Sequence, residues 1–478
     1  MRMLAGHPLQ QDLVAAIAPA LQAIAASIGP EGRHVLYRDG SRIRAARTGS
    51  QIARRVCSDH FAARLLKETL VDAERQFGDG TARLAVMAGA ALTAWRRAGP
   101  DGPHVTHVAD ALIDLRPVID AAFAAETHAA TQSEAQTAAL IAASGCDAAL
   151  AGLIADARTA ARGGLIEVRE GAATAVAQGA GFCFEATALG TTPPASLTDI
   201  HLIVANEVLT DFGALTPVIE GFATSGKALV VVARGIEGAA LQLLDRNRQA
   251  GILRCAALVP ADAGPAAAET LEDLAAATGA TLVSAETGTA IGALKPAMLG
   301  RAARFDHARG RVELAGATGE APRIAMRIAL AEAEIAAKRY LPLDRERAER
   351  RRARLAGRWA ELTLASGPDT DARVETARRA IAALHSADKD GTIPGAGRGL
   401  DAIADRLRAT PSRDPARRLG ALMIDAALRA PGDCLRRNST GAPLQATADP
   451  ARLTRDLLDV ALSLATGLAG IDGAALRP

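Results

Sequence analysis

The stretch Phe77-Gly-Asp-Gly-Thr-Ala-Arg83 carries the residue types that phosphate chemistry needs, and an apolar helical pattern follows from Leu84 to Trp95. Glycines at 78 and 80 let the chain turn tightly with its N–H groups outward. The N-terminus of the next helix adds partial positive charge. Asp79, between them, is of the right type to hold the magnesium ion that accompanies a nucleotide. An ordinary helix-capping turn has the same composition, so the motif alone does not choose. The elements around it have to decide.

Those elements belong to a chain of 478 residues, long enough for about three domains that each bury a core. Hydrophobic residues make up 49% and aromatic residues 3%, so the interior is built from alanine and leucine, which favours helices. Lys+Arg 55 against Asp+Glu 53 leaves a net charge of +2, which excludes a strongly basic nucleic-acid-binding tail. Five scattered cysteines without a CxxC pair read as reduced core thiols. His104 and His107, beside Pro103, read as loop residues rather than zinc ligands. No apolar run is expected to approach 18 residues and no signal segment follows Met1, so a soluble, cytoplasmic protein without a membrane partner is expected.

Leu13, Ile17, Leu21 and Ile24 fall at helical spacing over residues 10–27. A turn at Ser27–Arg33 and a hairpin about Asp39-Gly40 follow, and then one helix from Gln51 to Phe77. Residues 106–126 and 133–162 continue helical. In the middle, short β-branched runs at 202–205, 228–233, 252–259 and 281–284 alternate with helical segments at 215–224, 239–249 and 266–278. This predicts a parallel α/β layer buried on both faces. The Arg-rich run at 323–354 reads as a solvated helix face, because no aromatic residues interleave it to stack bases. Glu346 and Arg350 are spaced there for an ion pair. Alanine-rich helices then resume to the end. The order is a discontinuous helical domain with an α/β domain inserted.

Several stretches together resemble the type I (GroEL-like) chaperonins. Ser27-Ile-Gly-Pro-Glu-Gly-Arg-His-Val35 is similar to that family's first nucleotide loop, and Gly78-Asp-Gly-Thr81 to its magnesium and phosphate loop. Gly163 to Gly171, Asp344 to Gly357, Gly391 to Gly399 and Asp449-Pro450 match further family stretches in the family's order. The resemblance implies an equatorial nucleotide-binding domain of residues 1–128 and 387–478. It also implies an intermediate hinge domain of 129–177 and 359–386, and an apical client-binding α/β domain of 178–358. It assigns ATP and magnesium to Gly29, Pro30, Gly32, Gly78, Asp79, Gly80, Thr81, Gly395, Gly397 and Asp449, with Asp79 on the metal. Leu215, Val218, Ile219, Phe222, Leu241 and Leu244 become the client-binding side chains. The implied partners are unfolded or partly folded proteins and either a homo-oligomeric ring or co-assembly with a standard chaperonin. Neither nucleic acid nor membrane is implied.

Departures from the family pattern carry as much information. Thr48 and Thr376 occupy the positions of the two aspartates that orient the hydrolytic water. A neutral hydroxyl supplies no carboxylate base, so hydrolysis is expected to be very slow or absent. Glu375 neighbours Thr376, but adjacent helical residues point a quarter-turn or more apart, so Glu375 is not expected to substitute for the missing carboxylate. The threonine run after Gly80 becomes Thr81-Ala82-Arg83, and Arg83 either contacts phosphate or fills the site. The hairpin that completes the family's adenine pocket has no counterpart between Cys434 and Ala448. Asp245 and Arg246 replace an aliphatic pair on the second client helix, which weakens the case for a co-chaperonin. Leu215 and Val218 are equally readable as core. The strands that join the family's subunits into rings have no clear counterpart before Leu4 or after Gly470. Two readings follow: an ATP-binding folding chaperone with impaired hydrolysis, or a scaffold of the same fold that binds partners without nucleotide. No nucleophile–base or metal constellation supports an unrelated α/β enzyme.

Overall fold

The computed structural model describes residues 2–476 apart from 30, 34, 40, 41, 47, 100, 130–133, 163, 192, 309, 339–341, 368, 409–411, 440–446 and 472. The chain forms two compact units, residues 1–155 with 367–478 and residues 156–366. The first is interrupted in sequence by the second.

In chain order come β1 (Arg2–Ala5), α1 (Gly6–Ala26), the hairpin strands β2 (Val35–Asp39) and β3 (Arg42–Ala46), and α2 (Gly49–Val56). Next are α3 (Phe61–Phe77), α4 (Thr81–Arg97), α5 (Val105–Glu126), α6 (Glu134–Ala143) and α7 (Ala148–Ala161). The expected single helix over 51–77 is therefore two, because His60 caps a new start by accepting from the Ala62 N–H. His104 likewise caps α5, and His107 lies in its first turn rather than in a loop. One helical stretch, Pro8–Ala26, is long and apolar enough by length and composition to cross a membrane, at mean hydropathy 1.2. That corrects the expectation of no such run. In this fold it places Leu9, Leu13, Ile17 and Ile24 in the core of the first unit.

The inserted unit begins with β4 (Leu165–Gly171), β5 (Ala175–Ala180), β6 (Phe182–Leu189), β7 (Ser196–Leu209), α8 (Thr216–Ser225), β8 (Ala228–Ile236) and α9 (Gly238–Gln249). It continues with β9 (Cys255–Pro260), α10 (Pro265–Thr278), β10 (Leu282–Val283), β11 (Gly300–Ala308), β12 (Arg311–Ala315), α11 (Ala321–Ala337), α12 (Pro342–Leu355) and β13 (Arg358–Ala365). Seven strands run in the order β10-β7-β11-β12-β6-β9-β8, and β7 also pairs with β8, which closes six of them into a ring. Only β10, β7, β8 and β9 pair in parallel; β6, β11 and β12 pair antiparallel. The sheet is thus mixed, not the parallel layer expected. Inward side chains from all six strands, among them Phe184, Leu202, Val230, Leu258, Phe305 and Leu314, share one core with α10.

The Arg-rich α12 is not simply a solvated face. Arg351 is buried and donates to Asp273 of α10 and Glu334 of α11. Arg347 pairs with Glu269, and Arg354 with Asp262. Three helices are clamped by internal ion pairs. The Glu346 side chain lies outside the described residues, as does Gly163.

The chain returns to the first unit through α13 (Thr370–Asp390), β14 (Thr392–Pro394), α14 (Arg398–Arg408), α15 (Pro415–Asn438), β15 (Ala448–Pro450), α16 (Ala451–Ala469) and β16 (Gly473–Leu476). Within this unit α4 is central: Leu84, Ala85, Met87, Ala88 and Ala91 are buried, packing with Met423 of α15 and Leu457 of α16. Each fully buried leucine or methionine contributes roughly 1.5–3 kcal/mol relative to exposure. At the chain ends β1 pairs antiparallel with β16, Arg2 opposite Leu476. Terminal strands are therefore present, contrary to the reading of the sequence. A four-residue strand shows no usable period, and its partner lies at the other end of the chain.

Candidate functional site

α3 ends at Gly78, in the left-handed region at φ 71, with its N–H on the Glu74 carbonyl at 2.8 Å. Gly80 is left-handed too, at φ 85, and α4 begins directly after it with no side-chain cap. Its conformation favours glycine, and a Cβ there would fall 2.3 Å from Leu457 Cδ1, so that buried side chain would have to shift. The uncapped first turn of α4 leaves N–H groups for an anion. Asp79 sits between the glycines, half-buried. Its carboxylate has no hydrogen bond or ion pair among the described residues. That is a fit for magnesium and phosphate.

α2 abuts the same turn. A Cβ on Gly49 would lie 2.6 Å from the Ala82 N and 2.7 Å from the Thr81 carbonyl carbon. The Ser50 N–H donates to Thr81 Oγ1 at 3.3 Å, and the Ser50 hydroxyl donates to Glu74. Glu74 also accepts from Arg54 at 3.0 Å. Thr48 is buried and caps α2, accepting from the Gln51 N–H at 3.2 Å. Thr376 is buried on α13, donating to the Ala372 carbonyl at 2.8 Å and accepting from Arg379 at 3.1 Å. Both threonines thus have structural hydrogen bonds, and neither supplies a carboxylate.

The other assigned loops gather on the same helices. Gly29, at φ 101, and Gly32 close a turn in which the Gly32 N–H reaches the Gly29 carbonyl at 3.0 Å. Pro30 lies outside the described residues. Asn438 of α15 pins this turn by donating to the Ala25 and Ile28 carbonyls at 2.8 Å each. Gly395 lies against Thr447, and a Cβ on Gly397, at φ 79, would fall 2.5 Å from the Gly432 Cα of α15. Ala396, between them, is itself left-handed at φ 55. Asp449 is set by the pairing of β15 with β14 opposite Ile393. It accepts from Arg83 Nη2 at 2.6 Å, while Arg83 Nη1 donates to Thr454 at 2.8 Å. Of the roles left open for Arg83, the contact present in this structure is the pairing with Asp449. Residues 440–446, in the stretch with no counterpart to the family's adenine hairpin in sequence, lie outside the described residues.

Gly397→Ala is expected to lower the stability of this unit by about 2–4 kcal/mol, combining left-handed strain with a backbone clash. Ala396→Gly is expected to change it by less than about 1 kcal/mol, since relief of strain offsets added chain entropy. Urea unfolding of the two variants side by side checks the pair.

No protein-family model matches the sequence. The structure is similar over its whole length to the chaperonin gp146 from the bacteriophage EL 2 (Pseudomonas aeruginosa), solved in presence of ATP-BeFx. In crystal form I the TM-score is 0.69 at 16% identity, covering 100% of this chain and 99% of that one. In crystal form II it is 0.60 at 15% identity, with both chains fully covered. The fold is a chaperonin fold. At such identity the likeness speaks for the fold alone, and the chemistry rests on the residues of this chain.

At α8 and α9, where the resemblance put client binding, Leu215, Ile219, Phe222 and Leu244 are buried in one core with β7, β8 and β9, and Val218 and Leu241 are half-buried against it. All six pack on this core, which for Leu215 and Val218 was the other reading open from sequence. The helices expose Glu220, Thr224, Gln242 and Arg246 instead. Asp245 is well partnered: it accepts from the Thr191 hydroxyl at 2.7 Å and the Thr191 N–H at 3.1 Å, and it pairs with Arg248. These contacts hold its carboxyl below the usual range, led by the Thr191 bonds. Among the described residues of this unit, the exposed large apolar side chains are Val208, Ile252, Met326 and Leu330.

Sequence reasoning missed the polar partners of the site: Ser50, Gln51 and Glu74, and the pairing of Arg83 with Asp449. No local pattern marks them, because each pair is joined only by packing of separate helices.

Proposed function

We propose that this protein is a divergent chaperonin-type chaperone of the type I (GroEL-like) kind. It binds ATP at the junction of α2, α4 and α15, and hydrolyses it far more slowly than a standard member. On this reading the chain works in the cytoplasm with equatorial, intermediate and apical domains at the boundaries given above. Gly78–Thr81 and the first turn of α4 cradle phosphate, Asp79 takes magnesium, and the turns at Gly29–Gly32 and Gly395–Gly397 complete the walls. Clients are unfolded or partly folded proteins. Assembly is a homo-oligomeric ring or co-assembly with a standard chaperonin. Among the described residues the outer edges of the two-stranded sheets β1–β16 and β2–β3 are unpaired, which supports assembly, since such edges accept further strands.

The observation that carries the reading is the Asp79 carboxylate, without a hydrogen bond or ion pair among the described residues, between two left-handed glycines, in a chain that matches a chaperonin from end to end. The Arg83–Asp449 pair favours the second reading, a nucleotide-independent scaffold, because it engages a residue assigned to nucleotide. Titration with a fluorescent ADP analogue, with and without magnesium, together with mass photometry with and without ATP, separates the two. Magnesium-dependent binding, a multi-subunit particle and a low steady-state ATPase are expected. A monomer that binds no nucleotide supports the scaffold, and turnover at a standard chaperonin rate sinks the slow-hydrolysis part.

A further inference from the structure

The side of α13 that meets the phosphate loop carries a carboxylate one position away from Thr376. Glu375, Arg379 and Ala382 share one helical stripe, whereas Thr376 lies on the adjacent buried stripe with Ala380, Ala383 and Ala387. Ala382 touches the loop: a Cβ on Gly78 would lie 3.0 Å from the Ala382 Cβ. Glu375 Oε2 accepts from Gln51 Nε2. Gln51 is in the first turn of α2, two residues beyond the Gly49 that packs on Thr81 and Ala82. Its side chain therefore ties Glu375 to the wall of the phosphate cradle.

We propose that Glu375, oriented by Gln51, is the general base of ATP hydrolysis in this protein, in place of the two absent aspartates. The proposal rests on the nucleotide-binding reading above. Oε2 is engaged by Gln51, which leaves Oε1 for a water. As that water's oxygen bonds to the γ-phosphorus, the bond from phosphorus to the β,γ-bridging oxygen breaks. Its electron pair leaves with ADP, and the water's proton passes to Oε1. The surroundings suit a base: burial raises the Glu375 carboxyl above the usual range and the nearby Glu74 carboxylate adds to the rise, while Arg379, the Gln51 bond and Arg54 oppose it. A base so shifted transfers protons more effectively near neutral pH.

The test uses the full chain with Glu375→Gln, which keeps the shape and the contact to Gln51, and Gln51→Ala as a second variant. Single-turnover hydrolysis of Mg·ATP is expected to fall about 100-fold in Glu375→Gln, while affinity for a fluorescent ADP analogue stays within about twofold. Gln51→Ala is expected to lose about 10-fold in rate. In the nucleotide-free protein, carbon NMR of labelled glutamate should show a carboxyl titrating above the usual range that disappears in Glu375→Gln. Equal hydrolysis by wild type and Glu375→Gln, or wild-type protein that binds ATP without hydrolysing it, overturns the base. Failure of wild-type protein to bind either nucleotide overturns the underlying reading instead.

Discussion

Asp273→Ala is expected to destabilise the inserted unit by about 3–5 kcal/mol, the largest effect of any single change considered. Asp273 is 2% exposed and accepts from Arg327 Nε at 2.7 Å and Arg351 Nε at 3.0 Å. Arg351 is itself 5% exposed and also donates to Glu334 at 2.7 Å. Removing the central carboxylate leaves two guanidinium groups short of a partner between α10, α11 and α12. Remaining pairs with Glu272, Glu269 and Glu334 hold only part of that charge. Asp273→Asn keeps the shape and one acceptor, so its effect should be smaller. Trp359 lies in this unit and Trp95 in the other, so urea unfolding followed by Trp359 fluorescence in a Trp95→Phe background reads the change. A loss below about 1 kcal/mol for Asp273→Ala would show that the helices are held by apolar packing alone.

Arg83→Met should destabilise the first unit and change nucleotide affinity together. The Asp449 side chain is 7% exposed and that of Arg83 19%, so the pair is largely desolvated. Breaking it leaves a buried carboxylate, at about 2–4 kcal/mol. Asp449→Asn should cost less than Arg83→Met, because the amide still bonds Arg83. The two together should fall short of the summed effects by more than about 1 kcal/mol, as for residues in direct contact. If nucleotide requires Asp449, it must displace Arg83, so ADP should bind about tenfold more tightly to Arg83→Met. Isothermal titration calorimetry decides the sign. Weaker binding would assign Arg83 to phosphate instead.

Sequence alone was enough for the features set by local physics. Glycines at 29, 78, 80 and 397 mark left-handed turns because no other residue adopts them freely. Helical spacing placed α1, α5, α8, α9 and α10, and Gly-Asp-Gly before an apolar helix pointed to a phosphate turn. The order of these stretches along the chain was enough to suggest the fold that the structural likeness supports. Tertiary structure decided whatever depends on which distant segments meet. β1 and β16 pair across the whole chain, and β7 closes a ring by accepting partners on both edges. The Arg-rich α12 turned inward because acidic residues on α10 and α11 face it. Leu215 and Phe222 went to the core because the sheet behind them had apolar surface to cover. Most consequentially for function, spacing along α13 argued against Glu375 as a substitute, because residues 375 and 376 point apart. Packing of α13 against α2 and the loop at Gly78 put Glu375, not Thr376, on the side that meets the Gly78–Gly80 turn.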